Sequence, residues 1–260
     1  QIDSMSVAVV FHLLPLPAGA VAITEADIEA QLGRLALDFL APEHPYLGQS
    51  YQHPQPLVDS SGHITGTETD YQNYFSLADK MEDFAGRAAN PLISFCRPAL
   101  DPTGLPTNGV ITVSGTAQVW NPDEEALFHS DKGGSDAWDP TFYCNVWVAR
   151  LPDDMAGFAQ MPGGPATGDG VVIDDRYFAR AVAESDNPFA TGKTLTHLLG
   201  SYLNLYELWN DFTPCADDRV EDTPVHNTSN FGLSKYEYRH LSTCAGNPVE
   251  MLSNLMYNAI

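Results

Sequence analysis

Residues Gly192 to Glu207 read GKTLTHLLGSYLNLYE and hold one imidazole, that of His197, among apolar residues at helical spacing. On a helix, positions i and i+4 stand one turn apart on one face. Two histidines so placed can share a Zn²⁺, and a glutamate beside the first can take a proton from the metal-bound water. Here Leu198 stands beside His197, Ser201 four residues on, and Glu207 ten residues on. Leu198 has no group that accepts a proton, and loss of a general base costs on the order of 10²–10⁴ in rate. Ser201 is a poor substitute for an imidazole. Glu207 can act as an oxygen ligand, so His197 and Glu207 form a weak two-residue zinc candidate where a catalytic centre needs three protein ligands. The simpler reading of His197 is a half-buried histidine hydrogen-bonded to its neighbours. The remaining histidines (His12, His44, His53, His63, His129, His226 and His240) show no i,i+4 pair and no other ligand spacing.

A second concentration of chemistry lies downstream. Asp217, Asp218, Glu221, Asp222 and Thr223 crowd hard oxygen atoms of the kind that hold Ca²⁺. The same turn also reads as a solvated acidic surface with Asp222 capping the backbone. Four cysteines, Cys96, Cys144, Cys215 and Cys244, contain no C-x-x-C pair, which argues against a zinc ribbon or a thioredoxin-like site. Cys96 and Cys144 fall on separate expected strands, as a second bridge or as two buried thiols. No phosphate-binding glycine loop, G-x-S-x-G elbow or Cys/His nucleophile pair stands out. With 34 acidic and 12 basic residues, a formal net charge of -22, the chain repels phosphate backbones and anionic headgroups. Nucleic acid is therefore excluded as a partner, and the absence of an 18-residue apolar run argues against membrane insertion. Gln1 and the lack of a basic start or cleavage site suggest a processed chain.

The elements that must position these residues follow from the apolar pattern. Ser6 to Leu14 is a β-branched apolar run ended by Pro15, a buried strand. Thr24 and Asp27 supply a capping signal, and Ile28, Leu32, Leu35 and Phe39 recur at helical spacing. Residues 41–70 have no clear period, and Tyr71 to Ala89 looks helical. Further strands are expected at Pro91 to Arg97, Gly109 to Trp120, Phe142 to Leu151 and Gly170 to Phe178, then a buried helix over Thr191 to Trp209.

Taken together with other segments, Gly192 to Glu207 resembles the zinc helix of the pappalysin-like metalloproteases of the metzincin clan. Their motif is H-E-x-x-H-x-x-G-x-x-H followed by a methionine turn. In the pappalysin-like form HEVGHWLGLYH, His197 keeps the first ligand. Leu198 takes the glutamate position, Ser201 the second histidine, Asn204 the glycine and Glu207 the third histidine. Gly200, Leu203, Leu205 and Tyr206 match the residues between. Asp101 to Gly109 is similar to DPxGxPTxGI, Asn145 to Leu151 to NIWVxxL, Ala156 to Pro165 to GYAxFPGGP, and Asp169 to Ile173 to DGVVI. Asp218 to Pro224 is similar to DxVxDTP, and Asn254 to Met256 to the NxM of the methionine turn. The likeness covers most of the chain, poorest at residues 41–90.

The resemblance implies a metzincin-like α/β fold, a twisted mixed sheet of five strands with two long helices and an irregular C-terminal subdomain. It implies residues 1–207 ending in the degenerate zinc helix and 208–260 as a loop-rich subdomain with the methionine turn. It also implies Asp218 and Thr223, with the Glu221 carbonyl, as calcium ligands, Met256 as core filler where relatives floor a metal, and a Cys215–Cys244 disulfide. The chain stops at Ile260, short of the final helix of the family, by trimming or by loss of the tail, so the substrate-pocket wall built there is expected to be missing or shortened. The expected function is that of a secreted or cell-surface pseudoprotease, with no catalytic zinc, that binds a protein partner or assembles with itself. The alternatives are a zinc endopeptidase with a remodelled His197/Glu207 site and a calcium-stabilised adhesion module.

Overall fold

The computed structural model describes residues 5–39, 91–182, 190–209, 213–227, 241–251, 254 and 256. The expected irregular segment at 41–70 and helix at 71–89 lie outside the described residues. The chain forms two compact units, one of residues 1–40 and 91–205, the other of 41–90 and 206–260.

The first unit is built on a six-stranded sheet. Its strands are β1 (Met5–Leu13), β2 (Ile93–Cys96), β3 (Val110–Thr112), β4 (Tyr143–Ala149), β5 (Gly157–Ala159) and β6 (Gly170–Asp174). The order is β2-β1-β4-β6-β5, with β3 continuing the β2 side of β1. All pairs are parallel except β5 with β6. Central parallel strands are covered on both faces, which is why SVAVVFHLL and FYCNVWVARL read as near-continuous apolar runs. Alternation still sorts the side chains. Val9, Phe11, Cys144, Val146, Val148, Val171 and Ile173 join one core with helix residues. Leu14, Trp147, Ala149 and Val172 join a second core with Trp120 and Leu127 from a loop-rich layer.

The two helices, α1 (Glu25–Phe39) and α2 (Lys193–Tyr202), pack on the first of these faces. α1 opens with the expected reciprocal cap, in which Thr24 N–H donates to Asp27 Oδ2 at 2.9 Å and Asp27 N–H to Thr24 Oγ1 at 3.3 Å. The strand expected over Gly109 to Trp120 stops at Thr112. Its partner β1 runs into Pro15, which has no N–H to extend the ladder, and the last bond is Val113 N–H to the Leu13 carbonyl at 2.9 Å. Strand β5 was not anticipated. Three residues with flanking glycine and proline carry too little period to read.

Cys96 and Cys144 are not bridged, and only Cys144 is buried. Ala8 pairs with Cys96 and Val9 with Cys144, so the two lie on strands either side of β1. At about 4.8 Å per strand spacing the gap exceeds disulfide reach, roughly 7 Å between Cα atoms. The successive partners Ala8 and Val9 also point to opposite faces.

In the second unit, Leu208, Trp209 and Met256 form a small buried core against Met251. Cys215 and Cys244 are joined, with Cα atoms 5.5 Å apart. The bridge closes a loop of sequence separation 29, worth roughly 3–4 kcal/mol by loop-entropy arithmetic. Next to it, His226 and Glu250 are buried, and the Met251 N–H donates to His226 Nε2 at 3.2 Å.

Candidate functional site, a metalloprotease helix without its chemistry

Helix α2 is fixed at its start, along its first turn and at its end. At its start Gly192 takes φ 81°, a conformation suited to glycine, and its carbonyl accepts from Gln31 Nε2 at 2.9 Å. A Cβ at Gly192 would also stand 3.0 Å from the Ala179 Cβ. The Gln31 Oε1 accepts from Ala179 N–H at 3.0 Å, so one fully buried amide on α1 fixes both the helix start and the segment before it. One turn further, Thr196 Oγ1 donates to Asp38 Oδ2 at 2.7 Å, and Arg34 pairs with the same carboxylate. The helix ends at Tyr202, earlier than expected. Asn204 takes φ 77°, its N–H donates to the Ser201 carbonyl at 3.0 Å, and the Leu205 N–H donates to the Gly200 carbonyl at 3.0 Å. This pair of bonds around a left-handed residue is a Schellman cap. Asn204 thus does the work of the motif glycine, taking the chain out of the helix at the same point.

The side chains that such a helix would use are placed as follows. His197 and Ser201 are both half-buried on α2, one turn apart. Leu198, at the glutamate position, is 8% exposed and belongs to the helix-side core with Leu195, Leu199 and Phe178. Its methyl Cδ1 lies against Gly157 of β5, where an added Cβ would stand 2.5 Å from it. At the end of the helix, Tyr202 donates its hydroxyl to Asp169 Oδ1 at 2.7 Å. Burial, then this hydrogen bond, holds its phenol protonated well above the ordinary tyrosine range. Glu207 is half-buried and Met256 buried, both in the second unit. Among the described residues, no group of three or more His, Cys, Asp or Glu side chains gathers as a metal-binding cluster. A catalytic zinc does not fit α2: the position beside His197 is an apolar core side chain, and the position one turn on is a hydroxyl.

The acidic turn is tightly folded. Asp217 Oδ1 accepts from Arg219 N–H at 2.7 Å and Asp218 Oδ1 from Val220 N–H at 3.1 Å. Arg219 has φ 68° and lays its guanidinium 4.5 Å from the centre of the Tyr206 ring. Thr223 Oγ1 lies 2.6 and 2.7 Å from the two carboxylate oxygens of Asp218 and 2.8 Å from the Val220 carbonyl. The Thr223 hydroxyl proton is shared among these acceptors, of which Asp218 Oδ1 and the Val220 carbonyl also accept from the Val220 and Thr223 N–H groups. Asp218 is buried and Glu221 exposed.

Sequence reasoning passed over one polar centre. His12, on β1, is fully buried and stacks on Trp147, with ring centres 4.9 Å apart. Its Nδ1 lies 2.8 Å from Ser135 Oγ and its Nε2 3.0 Å from Asn145 Oδ1. A lone histidine in an apolar strand, with partners more than a hundred residues away, leaves no local signal.

A mixed sheet with one antiparallel edge strand, two helices on one face and a Schellman-ended zinc-type helix defines the class as a metzincin-like peptidase scaffold. Among solved structures, mature mirolysin of Tannerella forsythia bound to a cleaved peptide is similar with a TM-score of 0.76 and 27% identity, over 100% of this chain and 85% of that one. Promirolysin from the same organism is similar with a TM-score of 0.75 and 28% identity, over 99% and 74%. An extracellular metalloprotease of Arthroderma otae is 30% identical over 118 residues, 43% of this chain and 41% of that protein. The chain therefore spans about two fifths of that relative's length. The model of the peptidase M43 family, described as pregnancy-associated plasma protein-A, matches residues 128–260. The chain belongs to this family, as a degenerate member whose described residues gather no metal-binding cluster.

Proposed function

We propose that this chain is a secreted pseudoprotease, a non-catalytic protein that reuses the M43 scaffold to bind a protein partner or to build a surface assembly. The observation that carries this reading is Leu198. Its side chain is 8% exposed and packs into the helix-side core against Gly157. The position that would hold a base is thereby committed to packing, and even a metal held at His197 would lack a proton acceptor beside it. The secretory location is supported by the disulfide, which persists in oxidising compartments, and by the extracellular relative. Among the described residues no helix is long and apolar enough to cross a membrane. The test pairs elemental analysis for zinc with a broad peptide-cleavage screen of the unaltered chain. Substoichiometric zinc and no chelator-sensitive cleavage are expected. Stoichiometric zinc with chelator-sensitive cleavage would instead establish the remodelled His197/Glu207 endopeptidase.

Calcium binding at the acidic turn is a second reading, favoured by the crowding of the Asp218 carboxylate, the Val220 carbonyl and the Thr223 hydroxyl. The Asp218 carboxylate and Thr223 hydroxyl, with the Glu221 carbonyl, would hold the ion. Calcium at a hundredfold excess over Kd then stabilises by about 2.7 kcal/mol. A calcium titration followed by thermal melting should raise Tm in the unaltered chain and not in Asp218→Asn. No shift in either would remove the cation and leave a solvated acidic turn.

A further inference from the structure

The two faces of the sheet are covered by different means. Helices α1 and α2 lie on one. The other is covered by residues 120–138, a run of turns and short 3₁₀ segments, Glu125–Phe128 and Ser130–Lys132. Such a layer holds few internal backbone bonds, so its attachment to the sheet decides whether it stays closed. That attachment combines the apolar contacts of Trp120 and Leu127 with a polar cluster around His12. Ser135 is bonded to the His12 ring, and its carbonyl accepts from Trp147 Nε1 at 2.9 Å. Asn145 Oδ1, which faces His12 Nε2, also accepts from the Trp138 N–H at 2.8 Å, and Asn145 Nδ2 donates to the Trp138 carbonyl at 2.9 Å. Beneath the cover lie Leu14, Trp147 and Val172.

We infer that residues 120–138 form an acid-released cover over this second face, with His12 as its latch. In the neutral ring Ser135 donates to Nδ1 and Nε2–H donates to Asn145 Oδ1. Adding a proton to Nδ1 obliges the Ser135 hydroxyl to turn from donor to acceptor and places a charge on a fully buried ring. The surroundings offer that charge little. β4 presents Asn145 and the Trp147 ring, and β3 contributes Ile111 opposite His12, none of which titrates. On the cover, the Asp136 carboxylate favours the protonated ring but is itself exposed and bonded to Ser130, with His129 close enough to share its field. Burial outweighs the Asn145 bond and the pull of Asp136, and the ring is lowered to about 4.

With the cover lifted, the ring meets water and titrates near 6.5. A histidine lowered in the closed state stabilises that state fully above about pH 6.5, and the contribution is lost as pH falls toward about 4. Linkage between these two values multiplies the open-to-closed ratio about 20-fold at pH 5 and about 120-fold at pH 4 relative to pH 7.

The experiment is hydrogen exchange on the full chain between pH 7 and pH 4, resolved to segments and corrected for intrinsic rates. Segments within 120–138 should lose protection by these factors while β4 and β6 keep theirs, and the dye ANS should bind over the same range. His12→Gln, which cannot titrate, should flatten the pH dependence of the cover to less than about threefold. If that variant does not fold, the His12 ring is followed by NMR in the unaltered chain. A ring titrating near 6.5 under a closed cover overturns the latch, as does parallel loss of protection in cover and strands. Equal pH dependence in His12→Gln also overturns it.

Discussion

Replacing Leu198 by glutamate restores the base position of the motif and asks whether that position is cleft or core. In a core, Leu198→Glu loses the transfer energy of a buried leucine, about 2 kcal/mol. It also forces a carboxyl group among Leu195, Leu199 and the backbone of Gly157. Ionised there, the carboxylate carries a desolvation penalty of several kcal/mol, so it stays protonated and its pKa rises above about 4.3. A rise of about two units adds about 2.7 kcal/mol at neutral pH. A carboxyl raised in the folded state is tolerated best below its unfolded pKa and costs more as pH climbs through the folded value. The loss relative to the unaltered chain should therefore be about 2 kcal/mol at pH 4 and about 4–5 kcal/mol at pH 7. At roughly 2–4 °C per kcal/mol in a chain of this size, that is a fall in Tm of about 10–20 °C at neutral pH. The assay is thermal melting of Leu198→Glu and Leu198→Gln beside the unaltered chain at each pH, with the glutamine difference independent of pH. A Leu198→Glu chain within about 0.5 kcal/mol of the parent at pH 7 would mean that the side chain reaches water, and the packed-site reasoning would fail.

Gly157→Ala tests the same contact from the strand side. The new Cβ would stand 2.5 Å from both Leu198 Cδ1 and the Val172 carbonyl oxygen, so a loss of about 1–3 kcal/mol in urea unfolding is expected, and Leu198→Ala should not rescue it because the carbonyl cannot yield. For the thiols, burial pushes Cys144 up to about 12 while Cys96 is exposed. Iodoacetamide at pH 8 should label Cys96 alone in the native chain and both free thiols after unfolding, read by mass spectrometry. Equal rates at the two would contradict the buried placement.

Much of the fold could be read because the relevant signals are local or repeated. Strand β1 stood out by its β-branched run and terminal proline, α1 by Thr24 and Asp27 at its start, and β4 and β6 by their apolar blocks. What escaped depends on distant partners. Strand β5 is three residues long and exists because β6 offers an edge. Helix α2 was expected to run through Trp209, since its apolar spacing continues, yet Asn204 turns left-handed and ends it. The His12 latch joins residues 123 and 133 positions apart in sequence. In the candidate site, the identities at 198, 201 and 207 could be read directly, but the contact that gives Leu198 its role is with Gly157, some forty residues away and invisible without the sheet.

The pattern of what the helix retains follows from which side chains have two jobs. Thr196 is bonded to Asp38, Gly192 fits only a left-handed start beside Ala179, and Asn204 closes the Schellman cap. Each of these positions holds the helix in place whether or not a metal is present. A zinc-ligating histidine and its neighbouring glutamate differ in kind, because in a metal-free helix they are polar groups held near a core and carry a burial cost with nothing to offset it. Once zinc chemistry is absent, an aliphatic side chain at 198 turns that cost into contact with Gly157 and Phe178. The scaffold then gains packing at the point where a protease would keep water. A chain of this kind should be harder to reactivate than its three altered positions suggest, since restoring the chemistry at 198 also removes part of the core that now closes α2 onto β5.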